Sequence, residues 1–296
     1  MSRSLDRFGA ILIVCLCVIW GFNQVFAKLA LADIGPIAQT GVRSGIGALC
    51  VIFYAAAFRR RVFAIDGTEA AGVLVGVLFT AEFVTLYESL RWITVARATV
   101  FIYAAPFFVA LGSVLFLPDE RLRPIQWAGL AVAFAGVGVG LAGRSPGAGS
   151  LFGDLLALIA AVFWAATTVL IKATPLRHSD PLKVLLYQIG VATLITLPAA
   201  WLIGEPMSAH PSGMTIAALL WQGAAVVGVS YTLWFWMLRR YAVAELSAFT
   251  FLTPLVGVAG GALVFGDRLT PVFALALALV LAGLALVNWP RKSLAV

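Results

Sequence analysis

Any chemistry in this chain has to come from a few polar groups set inside long apolar runs. Arg43 and Glu82 are the clearest ionisable pair deep in those runs. Each lies roughly 10 to 12 Å from the same end of its run at a helical rise of about 1.5 Å per residue. A charge at that depth is costly unless it faces a partner or a water-filled cavity. Two readings follow and can hold together: a mutually neutralising pair, and a binding or proton-coupling site able to hold an amino acid's carboxylate or ammonium group. Asn23, Gln24, Gln188 and Gln222 are uncharged polar groups among apolar neighbours, suited either to bridging helices or to hydrogen-bonding a substrate. Trp20, Tyr103, Trp164 and Tyr231 also fall within the runs. Core packing and the wall of a small-molecule pocket are both open to them.

The two histidines, His178 and His210, fall in loops, and Cys15, Cys17 and Cys50 have no CxxC or Cys/His spacing. Neither a disulfide framework nor a metal site is indicated. The chain carries no glycine-rich phosphate loop, nucleophile elbow or zinc-protease helix. We therefore expect no catalytic residue, no metal and no cofactor, and transport driven by a gradient.

These side chains need a membrane to be placed in. Of 296 residues, 62% are hydrophobic and 11% charged, and mean hydropathy is +1.03; soluble domains carry about 25% charged residues. Composition thus disfavours a hydrolase, a kinase or a nucleic-acid binder, and makes the lipid bilayer and a small-molecule substrate the expected partners. A bilayer core about 30 Å thick takes about 20 helical residues per crossing. Proline, glycine and charge clusters divide the chain into ten spans near 8–31, 36–58, 68–90, 94–117, 124–142, 151–172, 181–203, 214–238, 242–265 and 271–289. The first outruns the apolar core of a cleaved signal peptide, so a spanning helix is predicted.

Arg3, Arg7, Arg59, Arg60, Arg61, Arg121, Arg123, Lys172, Arg177, Lys183, Arg239, Arg240, Arg291 and Lys292 gather on one side of these spans; Lys28, Arg91, Arg97, Arg144 and Arg268 fall on the other. Cytoplasmic loops are enriched in Lys and Arg, which predicts both termini in the cytoplasm. The net charge of +7 is then a membrane feature. Lys28 and Lys172 read as anchors snorkelling to the interface or as gating partners, Glu88 with Arg97 as a surface pair, and Glu245 as having a local charge partner.

The chain also repeats itself. Phe8-Gly9, Trp20 and Lys28 recur in order as Phe152-Gly153, Trp164 and Lys172. Leu90-Arg91, Pro106, Glu120-Arg121-Leu122 and Pro124 recur as Leu238-Arg239, Pro254, Asp267-Arg268-Leu269 and Pro271. Units 1–145 and 146–296 each hold five spans, so the second must enter the membrane inverted, a common plan for secondary transporters with a midplane site. The expected fold is an all-α integral membrane protein of ten transmembrane helices in two inverted five-helix repeats. Gly129, Ala133, Gly136 and Gly140, and Ala274, Ala278, Ala282 and Gly283, form small-residue stripes for close helix packing. Intramolecular packing is the default reading, in a monomer, with a homodimer contact as the alternative.

Trp20-Gly21-x-Asn23, the proline-centred helices (Pro106, Pro254) and the loops Pro118-Asp119-Glu120-Arg121-Leu122 and Gly266-Asp267-Arg268-Leu269 resemble the drug/metabolite transporter superfamily, nearest its EamA-type members. Pro118 and Asp267 depart from that pattern, standing where glycine and glutamate are usual. The resemblance implies export of amino acids or other small metabolites across a bacterial-type inner membrane. A subgroup resembling the YddG-type exporters of aromatic amino acids fits the aromatic content of the spans. Other branches exchange or take up nucleotide sugars or phosphorylated metabolites, which call for several buried basic residues; a non-transporting scaffold is the remaining alternative. The substrate site expected on these grounds comprises Trp20, Asn23, Gln24, Arg43, Glu82, Tyr103, Trp164, Gln188 and Tyr231.

Overall fold

A computed structural model describes residues 5–117, 122–143, 149–241 and 243–288. The loop Pro118-Asp119-Glu120-Arg121 and the positions Arg3, Arg144, Arg291 and Lys292 used above lie outside the described residues. Among the described residues, eight helices are long and apolar enough to cross a membrane: α1 Arg7–Ala30, α2 Pro36–Ala57, α3 Glu69–Ser89, α4 Val95–Phe116, α5 Pro124–Ala142, α6 Leu151–Ala173, α7 Pro181–Leu202 and α8 Gly213–Arg240. The shorter apolar α9, made of Val243–Thr250 and Leu252–Phe265, and α10, Pro271–Val287, complete ten. Most span bounds read from the sequence lie within a residue or two of these.

Local chemistry sets the helix starts. Prolines 36, 124, 181 and 271 open α2, α5, α7 and α10, where their missing N–H costs nothing and their φ is already helical. Side chains of Asp6, Thr94, Ser150, Asp180, Ser212 and Thr270 accept from free backbone amides at the starts of α1, α4, α6, α7, α8 and α10, satisfying donors that lipid could not. Phe53, Leu115, Leu194, Trp201 and Leu263 are exposed, as side chains facing acyl chains should be.

Two helices break at matching places. Proline has no N–H to give to the residue four before it, so one helical hydrogen bond is lost at Pro106 and one at Pro254. α4 accordingly splits at Tyr103-Ala104 and α9 at Phe251. The two broken helices pack on each other, with Gly257 against Thr99. Other contacts follow the repeat: α2 lies on α7 and α5 on α10, while α1 packs on α9 as α6 does on α4, and α2 on α8 as α7 does on α3.

Loops on alternate ends tie together as ten crossings require. At one end Asp33 O accepts from Ser208 N, Trp92 O from Ser150 N, and the Asp267 carboxylate from Ala96 N. At the other, which carries the N-terminal residues, Arg60 pairs with Asp180, Lys183 with Asp66, and Tyr241 donates to Asp6. Hydrogen bonds from Lys183 and then Thr68 hold the Asp66 carboxyl at about 2, below its ordinary 3.8. A depressed carboxyl stabilises the fold above its unfolded value and loses that contribution as pH falls through its folded value. Asp66→Asn should therefore melt lower than the parent at neutral pH, and the gap should close as pH falls from about 4 to about 2. Thermal unfolding of both proteins across that range checks it.

Several expectations need correction. Arg97 does not pair with Glu88 at the surface: it is buried against Asp154, with Nη2 and Nε at 2.6 and 2.9 Å from the carboxylate and Nη2 also 2.9 Å from Gly140 O. Glu88 instead accepts from Arg91 and Trp92. Lys28, half-buried near the end of α1, reaches the loop between α3 and α4, where its Nζ donates to Ile93 O at 2.8 Å and stands over the Phe265 ring. Glu245 takes the backbone N–H of Leu5 rather than a basic side chain. Ala274, Ala278 and Ala282 point outward. The close face of α10 is Ala276, Val280 and Gly283, set against Gly129, Ala133 and Gly136 of α5.

Candidate substrate site

Arg43 lies on the inward face of α2 with no exposed surface. Its guanidinium stands over the Phe83 ring, 4.0 Å from the centroid, and 5.9 Å from that of Tyr87. Phe83 and Tyr87 are one helical turn apart on α3, and that spacing puts both rings on one face. Nε, Nη1 and Nη2 of Arg43 all lack a hydrogen-bond partner. The predicted pair with Glu82 is not closed: the Arg43 charge acts on Glu82, Tyr87 and Tyr231, but guanidinium and carboxylate are not in ion-pair contact. The carboxylate of Glu82, a residue 6% exposed, accepts no hydrogen bond among the described residues. Cation–π stacking offsets part of the cost of burying Arg43; it satisfies none of the five N–H groups.

Asn23 of α1 approaches the Tyr87 hydroxyl, yet Asn23 Oδ1 and Tyr87 Oη both remain without a hydrogen bond of normal geometry. Four helix elements from the two repeats thus converge: Asn23 from α1, Arg43 from α2, Glu82 and Tyr87 from α3, and Tyr231 from α8.

An aromatic wall adjoins this polar group. Tyr103, at the break in α4, lies beside Thr253 and Cys17 and within electrostatic reach of Tyr231. It meets Trp164 of α6 edge to face at 6.1 Å. Trp20 Nε1 donates to Ser230 Oγ at 2.7 Å and its ring meets Trp234 edge to face at 5.5 Å. Tyr103, Trp164 and Tyr231 are each only half-buried, so part of each ring is left uncovered by its neighbours. Ser230 ends a π-helical stretch, Trp221–Ser230, inside α8. Such wide turns are rare and recur at functional sites.

The structure therefore brings Asn23, Arg43, Glu82 and Tyr231 together and sets Tyr103 and Trp164 beside Tyr231, while Trp20 packs with Ser230 and Trp234 in a separate cluster. Gln24 is buried without a hydrogen bond, and Gln188 is half-buried on α7; no contact joins either to the group among the described residues. Gln222 is a bridge, accepting from Gln39, which also donates to Ala27 O. Phe83, Tyr87, Ser230 and Thr253 were not singled out from the sequence. The four-residue step from Phe83 to Tyr87 beside Glu82 was the available signal.

This fold has a parallel among solved structures. A chain of 21% identity has a crystal structure that matches with a TM-score of 0.66 over 94% of this chain and 96% of that one. Along the sequence, the chain is 29% identical to a "Probable amino-acid metabolite efflux pump" of Salmonella typhimurium over 96% of this chain and 94% of the relative. The Escherichia coli protein of the same name gives 29% over 95% and 94%. The "Pseudopaline exporter CntI" of Pseudomonas aeruginosa is 27% identical over 68% of this chain and 69% of that protein. The EamA-like transporter family model matches twice, at residues 7–141 and 151–289. With both matches running through the helices that build the site, the chain belongs to the EamA-like transporter family and is a multi-pass membrane transporter.

Proposed function

We propose that the protein exports amino acids across the inner membrane, with both termini in the cytoplasm. The observation that carries this reading is a polar group with unfilled hydrogen-bonding capacity, Arg43, Glu82, Tyr87 and Asn23, walled by aromatic rings from both repeats. A cavity of that make-up suits a small amphipathic metabolite. The names borne by the two efflux-pump relatives support the same class, and the excess of Lys and Arg on the side of the termini supports the orientation. Units 1–145 and 146–296 would rock about the shared site, opening it to either side in turn. A phosphorylated or nucleotide-linked substrate is disfavoured, because Arg43 is the one cation in the group. Bacterial cells expressing the chain and loaded with labelled amino acids should release at least one faster than cells with empty vector. Equal release of all twenty would exclude the reading.

A further inference from the structure

We infer that Arg43 and Tyr87 form the carboxylate subsite, and Glu82 with Asn23 the ammonium subsite, for the head group of an α-amino acid. The inference rests on the proposed export of amino acids and assigns the atoms that would recognise them. Donors and acceptors are left unfilled in a matched set. The donors are Arg43 Nε, Nη1 and Nη2 and the Tyr87 hydroxyl, all buried and without a hydrogen bond of normal geometry. The acceptors are the Glu82 carboxylate and Asn23 Oδ1, which approaches the Tyr87 hydroxyl without closing a normal hydrogen bond on it. An unpaired guanidinium in an apolar interior is among the most expensive arrangements a fold can hold. A purely structural arginine would be expected to close on the carboxylate whose field it already feels; here it stacks on Phe83 instead.

A planar carboxylate accepts two parallel N–H bonds from a guanidinium, and a third from a phenol is geometrically open. The ammonium group of the same molecule supplies three donors, against the acceptors of Glu82 and Asn23. An α-amino acid holds its carboxylate and ammonium on adjacent carbons, so one head group would fill both halves and bring in no net charge. Its side chain is left to the half-buried rings of Tyr103, Trp164 and Tyr231. A simple amine or a simple acid would fill only one half. That difference gives the assignment its test.

The test uses purified full-length protein and thermal unfolding with each of the twenty L-amino acids, then with the methyl ester and the deaminated acid of each one that stabilises. Wild-type protein should bind the amino acid about tenfold or more tightly than either analogue, the size expected for losing a charge-assisted hydrogen-bonded group. Arg43→Gln should weaken the amino acid about tenfold or more and leave the ester within about twofold, while Glu82→Gln should do the converse with the deaminated acid. Arg43→Lys, which keeps the charge and loses the fork, should retain part of the affinity and guards against loss through misfolding. An ester bound as tightly as the amino acid, or an Arg43→Gln loss shared equally by both, would overturn the head-group assignment while leaving amino-acid export standing. No stabilisation by any of the twenty would overturn both.

Discussion

Replacing Asp154 by Ala is expected to cost about 3–5 kcal/mol of stability, because it leaves Arg97 buried and unpaired. The Arg97 and Asp154 side chains are 4% and 0% exposed. The carboxylate accepts two bonds from the guanidinium, whose remaining Nη2 donor goes to Gly140 O, so α4, α5 and α6 are held at one point. Breaking one partner is far worse than removing both: Arg97→Met with Asp154→Leu should recover most of the loss, since an apolar pair of similar volume avoids desolvating two charges. The check is a double-mutant cycle measured by reversible unfolding in mixed micelles. A single-variant loss under about 1 kcal/mol, the range of an exposed pair, would mean that water reaches this site.

Gly283→Leu should be the most damaging single change to helix packing, at about 3 kcal/mol. A Cβ on Gly283 would lie 2.6 Å from Gly129 O and 2.8 Å from Ala133 N. Both are backbone atoms of α5, and no rotamer relieves the clash. The whole of α10 would have to move off α5, opening the contact that joins the last helices of the two repeats. Gly138, on the same helix α5, has nothing within 4 Å of a built Cβ. Gly138→Leu should therefore change stability by no more than about 0.5 kcal/mol. Size-exclusion profiles and melting temperatures of the two variants, made side by side, separate this packing effect from any general intolerance of leucine in a glycine-rich helix.

What could be read in the chain beforehand depended on how local the signal was. The ten spans were legible because apolar runs of bilayer length alternate with proline and charge clusters, and prolines 36, 124, 181 and 271 each mark a helix start. The depths of Arg43 and Glu82 were legible too, since rise per residue is fixed. Their mutual geometry was not, because it depends on how far each helix is rotated about its own axis, and rotation put Phe83 rather than Glu82 under the guanidinium. Glu88 is the nearer acid to Arg97 in sequence, but the partner of Arg97 is Asp154, 57 residues away, where only tertiary packing brings two helix starts together. The partners of Lys28, the Ile93 carbonyl and the Phe265 ring, come from other helix ends and have no mark in the local sequence. The π-helical turns of α8 have no mark in sequence. Gly223, Gly228 and Gly47 let α8 and α2 come close, the first against Ile46 and the Arg43 carbonyl, and that contact accompanies the widened helix.

The central claim is that the group around Arg43 and Glu82 is a transport site for amino acids. The most direct measurement is release of labelled amino acids from liposomes containing the purified protein, one amino acid at a time, with and without an imposed pH gradient. The account predicts that at least one leaves faster than from protein-free liposomes, and that Arg43→Gln and Glu82→Gln, folded by size exclusion, slow that release toward the protein-free rate. Release at the protein-free rate for all twenty, or release by both variants at the wild-type rate, would contradict it.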